Sequence, residues 1–368
     1  MRLYNIEIFD KTIEYKSNSV IEEFNYKYDY LDPEKVKIEL LPDVQVAVGD
    51  FLHIFNDEAR YIGIVEQIKD KDDGIKEVTY IDVMSLLDIQ TIVDVEYMTG
   101  SLEQYIADRI TELYINNPDE LMNLPLSVET TTQTEDWSIE ADVMAEEVTT
   151  LAEVNMFDDI ILPAFNSYGI VLSSEIDLNN KRINISIGKN TSDIRYLEAD
   201  LPNILSKNVV INKIKKQINK VIVFNQDDYT DTLTYYLHPD GSYDTDNRER
   251  LVPVEYEYAE AKEEIKKEKS EIEGEDDIEI VIPFADKANE KAQAIFEKNK
   301  YDNLIEIEMF SDDELIRPDS FKIGQEVMIL SDGIFYNSIY TGCEVKDTTL
   351  LIFGTIRLEL TKILKGRV

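Results

Sequence analysis

Two histidines and one cysteine are the side chains of this 368-residue chain best suited to proton transfer or nucleophilic attack near neutral pH. His53 stands in "FLHIF", a strand pattern, and His238 in a hairpin turn, "HPDG", and neither adjoins a Ser or Cys placed to act as a nucleophile. Both therefore read as structural. Cys343 lies in "YTGCEV", where a reactive thiolate would need positive charge and Glu344 supplies the opposite sign. A single cysteine also excludes an intrachain disulfide and a cysteine-based zinc cage. Carboxylates number 76, so proximity of any two carries no signal for the paired acids of a glycosidase. "DKDDG" (70–74) and "DGSYDTDNRE" (240–249) lack the alternating acids, central glycine and terminal glutamate that wrap a calcium ion, and read as hairpin turns. No Walker loop, dinucleotide fingerprint or HExxH is present. The expectation is no catalytic residue, no cofactor and no metal. The competing chemical readings are a carboxylate hydrolase acting on cell wall, and a carbohydrate-binding assembly if the 21 tyrosines cluster on an exposed face.

Charge narrows the partners. With 37 Lys and Arg against 76 acids, the formal net charge is −39, and such a surface repels nucleic acid and anionic membranes. The main basic run, "NKIKKQINK" (212–220), alternates, so it reads as one solvated strand face before it reads as a contact for DNA or an acidic partner. The start, "MRLYNIEIFDKT", alternates like a strand and has no leader pattern, and nothing approaches the roughly 18 to 20 apolar residues of a membrane span. Synthesis and retention in the cytoplasm follow, unless an assembly carries the protein elsewhere.

The elements that must position these residues are mostly short strands. Residues 3 to 92 hold runs such as "YNIEIFD", "KVKIELL" and "RYIGIVEQI", broken at Asp, Asn, Gly and Pro, which predicts a small antiparallel barrel over 1–92. From 93 to 206 the period changes. "GSLEQYIADRITELYINNPDE" predicts a helix with Ser101 as N-cap, Leu102, Tyr105, Ile106, Ile110 and Leu113 on one face, and Pro118 as its stop. A second helix is expected within 146–166, and a hairpin over 169–188 around "LNNKR". Strands return at 207–258 and 303–368, predicting a second barrel. Between them, 259–302 reads as a helical insertion, with "AEAKEEIKKEKSEI" and "DKANEKAQAIFEKNKY" as helix formers around a short strand. The fold class is α+β, multidomain: two small antiparallel β-barrels joined by a helix-plus-hairpin domain.

One pattern occurs twice. "VAVGDFLHIF" (46–55) and "FKIGQEVMIL" (321–330) each place an aliphatic residue before a glycine, then a polar residue, then two apolar residues in alternation. The first set is Val48, Gly49, Asp50, Leu52 and Ile54, and the second is Ile323, Gly324, Gln325, Val327 and Ile329. Tyr61 and Gly63 follow the first as Tyr340 and Gly342 follow the second. Glycine supplies a cheap corner in any small barrel, so these positions are structural. Two similar barrels in one chain would let three chains present six units to a six-fold partner.

The order barrel, helix-plus-hairpin domain and interrupted second barrel, with "YYLHPDGSYDTD" leading into "RLVPVEY" and a close in "GTIRLELTKIL", resembles the tail hub proteins of tailed bacteriophages. That resemblance implies a virion protein of the tail tip, made in the host bacterial cytoplasm and assembled as a homotrimer. It implies a pseudo-hexameric ring that closes or adapts the end of the tail tube and forms a channel for DNA exit. The implied partners are a hexameric distal tail or tail tube protein, the tape measure protein, and fibre, receptor-binding or lytic proteins. DNA would pass without specific binding, and acids lining the channel would keep it from adhering. Hub proteins often carry a lytic or fibre extension; here Val368 follows almost directly on the last strand, so those tasks are expected of other chains.

Overall fold

Alternation at the N-terminus becomes strand β1 (Tyr4–Phe9) in the computed structural model, with Tyr4, Ile6 and Ile8 turned into the core and Asn5 facing outward. The structure describes residues 3–22, 26–33, 35–56, 60–71, 74–94, 100–135, 137, 151–211, 218–238, 242–248, 256–268, 278–297, 301, 303–310 and 316–355. They form two units, one of residues 1–210 with 303–368 and one of Ile211–Asp302.

In the first unit, β2 (Tyr15–Ile21), β3 (Tyr26–Asp29), β4 (Val36–Leu40), β5 (Phe51–Phe55), β6 (Arg60–Asp70) and β7 (Lys76–Asp82) follow β1. Six of these seven make one sheet, in the order β2-β1-β5-β6-β7-β4. Its ladders leave β2 and β4 at the edges, and among the described residues none joins those two strands to close a barrel. A short 3₁₀ turn then leads to β8 (Gln90–Asp94).

Helix α1 (Leu102–Tyr114) forms where the apolar spacing predicts it. Ser101 caps it by accepting from the Gln104 amide at 3.2 Å, and Leu102, Tyr105, Ile106 and Ile110 are buried. Glu103, also buried, accepts from the Thr132 hydroxyl (2.7 Å), the Thr134 amide (2.7 Å) and the Thr134 hydroxyl (3.0 Å). Burial pushes that carboxyl up, and these hydrogen bonds outweigh it and hold the group below the ordinary glutamate range. β9 (Leu126–Thr130) and β10 (Leu151–Asn155) follow, and β10 pairs with β8. The second helix is shorter than the sequence suggests: Leu151 is in a strand, and 146–150 lie outside the described residues. A π-helical turn, Met156–Ile161, runs straight into α2 (Leu162–Tyr168), and Pro163, which lacks an amide to donate, stands at their junction. Gly169, at φ +68, ends α2. The expected hairpin is β11 (Ile170–Asp177) with β12 (Arg182–Lys189), and β9 adds in parallel to β12.

Next come β13 (Arg195–Glu198) and β14 (Ile204–Ile211). In the second unit, β15 (Lys220–Asn225), β16 (Thr232–Leu237), β17 (Tyr243–Asp244) and β18 (Tyr256–Ala261) form a sheet of their own, in the order β17-β16-β15-β18. Of 207–258, expected in the second barrel, 207–211 lie in β14 and the strands from Lys220 onward make this separate sheet. Val221, Val223, Tyr235, Leu237 and Ala261 bury one face of the sheet against α3 (Phe284–Glu297), so its core is a separate one. The helix expected from 259 is also corrected: 259–261 belong to β18, and β19 (Glu264–Glu268) pairs with β20 (Ile278–Ile282). Glu and Lys favour a helix only weakly, and pairing of β18 beside β15 overrides them.

The chain then returns to the first unit as β21 (Asn303–Phe310), β22 (Glu326–Ser331), β23 (Ile334–Val345) and β24 (Thr348–Phe353). Their sheet runs β13-β22-β23-β24-β21-β14, with β3 paired to the end of β23. Strand β3, expected in the first barrel, thus belongs to the other sheet. One hydrophobic core, from Ile6, Ile38 and Leu52 to Ile307, Ile329 and Phe353, is shared by both sheets. The protein is α+β, mostly strand, with three α-helices among the described residues.

Seating β3 demands Gly342. A Cβ there would lie 2.2 Å from the Tyr28 carbonyl oxygen and 3.0 Å from Asp29 Cα. Gly342→Ala is expected to lower stability by about 2–4 kcal/mol in urea unfolding, because rigid backbone must move. Gly333→Ala, whose Cβ meets nothing within 4 Å, should cost only about 1 kcal/mol for its φ of +77. Equal losses would mean that β3 does not depend on this close approach.

Candidate functional site

The repeated glycines sit at two corners of the same construction. Gly49 has φ +85 and Gly324 φ +77, each the third residue of a tight turn closed by the amide of the fourth: Asp50 N–H to Ala47 O at 3.1 Å, Gln325 N–H to Lys322 O at 2.9 Å. Positive φ at that place is the type II geometry, which glycine adopts without strain. Gly49 N–H donates to Val65 O (2.8 Å) and Val65 N–H to Asp50 O (2.9 Å); Gly324 N–H donates to Tyr340 O and Tyr340 N–H to Gln325 O, both at 2.9 Å. The polar residue after each glycine closes its turn from the side. Asp50 Oδ2 accepts from the Ala47 amide at 2.7 Å, and Gln325 Oε1 from the Lys322 amide at 3.3 Å.

Every atom pair of the second set lies 275 positions after its counterpart in the first. The hairpins that follow share this register: Phe51 opposes Ile64 as Glu326 opposes Ile339, and a bulge follows Val65 as one follows Tyr340. Strand order agrees too, β5-β6-β7-β4 against β22-β23-β24-β21. Leu52 and Ile54, like Val327 and Ile329, point into the shared core, while Val48 is exposed and Ile323 half-buried.

The tyrosine match is corrected by the register. Tyr61 opposes Ile54 and Tyr336 opposes Ile329, so Tyr336 is the counterpart of Tyr61, and Val65 is that of Tyr340. Gly63 and Gly342 are not equivalent: Gly63 makes room for the Tyr80 ring, and Gly342 for β3. Matching Tyr-x-Gly by eye slipped the alignment by four residues, a shift that keeps side chains on the same face and so escapes a test of alternation.

The two corners differ in what they touch. Asp50 is buried and paired with Lys16 Nζ at 2.5 Å. Gln325 Nε2 donates to Asp193 O (3.0 Å) and Asn190 Nδ2 to Ile323 O (2.9 Å), which fastens the second corner to the chain after the β11–β12 hairpin. A Cβ on Gly324 would stand 2.3 Å from Val171 Cγ2 in β11, whereas one on Gly49 would meet only the flexible end of Lys11.

Where the sheets meet, Tyr26 of β3 packs on Tyr61 of β6 (ring centroids 4.4 Å), and the Cys343 thiol of β23 lies 3.9 Å from the Tyr26 hydroxyl. Burial pushes that thiol up to about 11, which leaves it protonated and unreactive at neutral pH. A cavity of about 30 Å³ beside the seam is lined by Tyr26, Tyr28, Tyr61, Tyr80 and Asp82, too small for an organic ligand. Burial pushes the Asp82 carboxyl up to about 6, against an opposing hydrogen bond from the Met84 amide at 2.8 Å.

The other chemical candidates are held in local pairs. His53 Nδ1 is 3.0 Å from Glu7 Oε2, and its groove brings Ser173, Ser174 and Ser186 near from β11 and β12, which linear sequence did not show. Among the described residues none of these serines hydrogen-bonds His53, so the nucleophile–base contact of a hydrolase is not formed. His238 Nε2 pairs with Asp244 Oδ1 at 3.0 Å. In the second acidic loop, Arg248 holds the Asp246 carboxyl down at about 2, while 240–241 and 249 lie outside the described residues. In the first, Gly74, at φ +82, turns the chain between Lys71 and Ile75; 72 and 73 lie outside. Residues 212–217 of the basic run lie outside as well. Among the described residues no three His, Cys, Asp or Glu side chains form a metal-binding group, and no helix is long and apolar enough to cross a membrane.

Two outcomes follow. Gly49→Ala should cost about 1 kcal/mol and Gly324→Ala about 2–4, with Val171→Ala recovering part of the second loss in a double-mutant cycle measured by urea unfolding. For Asp82, a carboxyl raised in the folded state stabilises least once pH exceeds about 6, where the fold must hold the charged form. Asp82→Asn should therefore raise the thermal midpoint at about pH 8 and change it little at about pH 4. A larger gain at the lower pH would show the carboxylate to be well solvated.

No protein-family model matches the sequence, and no curated protein matches it. Among solved structures, the 43 kDa tail protein of prophage MuSo2 from Shewanella oneidensis is similar, at 10% identity and a TM-score of 0.50, covering 95% of this chain and 98% of that one. A chain of the phage P2 baseplate in its activated conformation gives 12% identity and 0.46, covering 95% and 98%. The prophage tail protein gp18 from Listeria monocytogenes gives 9% and 0.44, covering 98% and 97%. The structural neighbours of this chain are thus phage baseplate and prophage tail proteins, over nearly its whole length, and with the MuSo2 protein it shares the fold.

Proposed function

We propose that this chain is a structural, non-enzymatic component of a phage-type tail: a homotrimeric hub that closes or adapts the distal end of the tail tube. The observation that carries the reading is the doubled construction, in which β4–β7 and β21–β24 share strand order, corner hydrogen bonds and hairpin register. Three such chains offer six similar units, so a three-fold assembly can sit against a six-fold ring without each chain meeting two unlike environments. The fold shared with a prophage tail protein supports the same reading.

In this proposal Val48, Gly49, Asp50, Leu52, Ile54 and Tyr61 build one unit. Ile323, Gly324, Gln325, Val327 and Ile329 build the other, with Tyr336 in the place of Tyr61, Tyr340 closing the corner through Gly324 and Gln325, and Gly342 seating β3. The partners would be a hexameric distal tail or tail tube protein, the tape measure protein, and fibre, receptor-binding or lytic proteins at the tip. DNA would pass through the ring without specific binding, as a net charge of −39 favours.

Mass measurement of the native protein tests this directly. A species of three 42.6 kDa chains is expected, and because copies of like charge repel, its share should grow as salt rises from about 0.05 to about 0.5 M. A chain that stays monomeric across that range, and also when mixed with a purified hexameric tail tube ring, would refute the proposal.

A further inference from the structure

Among the described residues of the second unit, its four-stranded sheet is covered on one face only. Val221, Val223, Tyr235 and Leu237 pack beneath Ala288, Ala292 and Phe296 of α3. By the alternation of strands the opposite face should be polar. It carries a row of aromatic rings instead. Tyr256 and Tyr258 on β18 are each 56% exposed, and Tyr229, in the turn after β15, is 58% exposed. Ring centroids step from Tyr229 to Phe224 at 6.3 Å, to Tyr258 at 5.7 Å and to Tyr256 at 5.3 Å. Large rings left against solvent on a sheet whose other side is a finished core mark a surface built for contact.

The chemistry of the face selects its occupant. Its ladder positions hold one cation, Lys220, against Asp244 and Glu260, in a chain of net charge −39, so a polyanion is repelled. Hydrogen-bonding groups line the rings. Glu260 accepts from Tyr229 Oη at 3.2 Å and from Gln226 Nε2 at 3.3 Å, which fixes its carboxylate beside the row with acceptor capacity left over. Thr232, opposite Phe224 in the ladder, is exposed. Flat apolar rings flanked by fixed polar groups suit a ligand that is apolar on its flat faces and hydroxylated at its rim. A pyranose ring has that form: its axial C–H bonds stack on an aromatic face while its equatorial hydroxyls point sideways. The steps from Phe224 to Tyr258 and from Tyr258 to Tyr256 are close to the length of one hexopyranose residue in a β-linked chain.

We propose that this open face binds an uncharged hexopyranose polymer, with Tyr258 stacking on one sugar, Phe224 (turned 40° from it) and Tyr256 (edge-on to it, at 71°) contacting the sugars on either side, and Glu260 accepting from their hydroxyls. It is independent of the trimeric hub: a monomer could carry the site, and a trimer could lack it.

The test titrates the full chain with chitohexaose and with cellohexaose by calorimetry, and with heparin as the anionic counterpart. Dissociation constants of about 0.1–1 mM are expected for at least one neutral oligosaccharide, typical of a shallow open site. Tyr258→Ala should weaken binding at least tenfold, Tyr258→Trp should retain it, and Glu260→Gln should weaken it several-fold. Tyr196→Ala, an exposed ring of the other unit, should leave it unchanged. Should Tyr258→Ala fail to fold, Tyr258→Trp and Glu260→Gln carry the test. Three results would overturn the proposal: no binding of either neutral oligosaccharide, tighter binding of heparin, or Tyr258→Ala abolishing self-association of a chain that binds no sugar, which would give the face to a second copy.

Discussion

Four residues near the start of the chain, Tyr26–Asp29, lie as a strand against Gly342–Val345 near its end, and the meeting of the two sheets depends on that contact. Gly342 permits it by having no side chain where the Tyr28 carbonyl passes. Once β3 is seated, Tyr26 reaches both Tyr61 of the first sheet and Cys343 of the second, so a backbone approach becomes a packed seam. A ladder this short contributes little by itself, since each hydrogen bond nets about 1 kcal/mol after exchange with water. Its weight comes from the apolar surface it allows Ile6, Leu52, Ile307 and Phe353 to share in one core. Loop closure over such a separation costs only slowly more with length, but it makes the contact slow to form.

The charge that dominates the composition does little of this work. Among the described residues most ion pairs, such as Lys35–Glu66 and Lys37–Glu77, lie at the surface, where water and salt leave them worth a fraction of a kcal/mol. Lys16–Asp50 is an exception, because Asp50 is buried beneath the first corner and also binds the Ala47 amide. Glu103 is another: three hydrogen bonds from Thr132 and Thr134 stabilise its buried carboxylate and tie the start of α1 to the segment that follows β9. The excess acid therefore bears on what the surface repels, and hardly on what the core holds.

Much of the framework was legible in the sequence because local rules fixed it. Ser101 and the apolar stripe of 102–114 gave α1, the "LNNKR" turn gave a hairpin, and the glycines at 49 and 324 marked corners. What escaped was decided at long range. Nothing in "YKYD" says that it pairs with β23, and Glu and Lys at 260–268 speak for a helix until β15 and β20 supply strand partners. The hydroxyls that satisfy Glu103 stand about thirty residues away; "TTTQT" was a visible but unread source of them. The aromatic face is a middle case. The tyrosines were evident in "VPVEYEY", yet which side of the sheet they faced depended on which side α3 covered.

Likeness between the two repeated units stops at their flanks, and the difference bears on assembly. β1 runs antiparallel to β5, and β2 continues that edge; at the equivalent place β13 runs parallel to β22, and β14 extends the far side of β21. Two units alike in every strand would let any unit join any other, a condition that favours open polymers as much as closed rings. Unlike flanks on a common meander restrict which unit can follow which. In the proposed trimer, alternation of the two around a three-fold axis would satisfy both requirements, near-equivalent surfaces toward a six-fold neighbour and distinct surfaces between chains. The exposed edges would otherwise be open to promiscuous pairing, so what distinguishes the units is as much a condition for a closed ring as what they share.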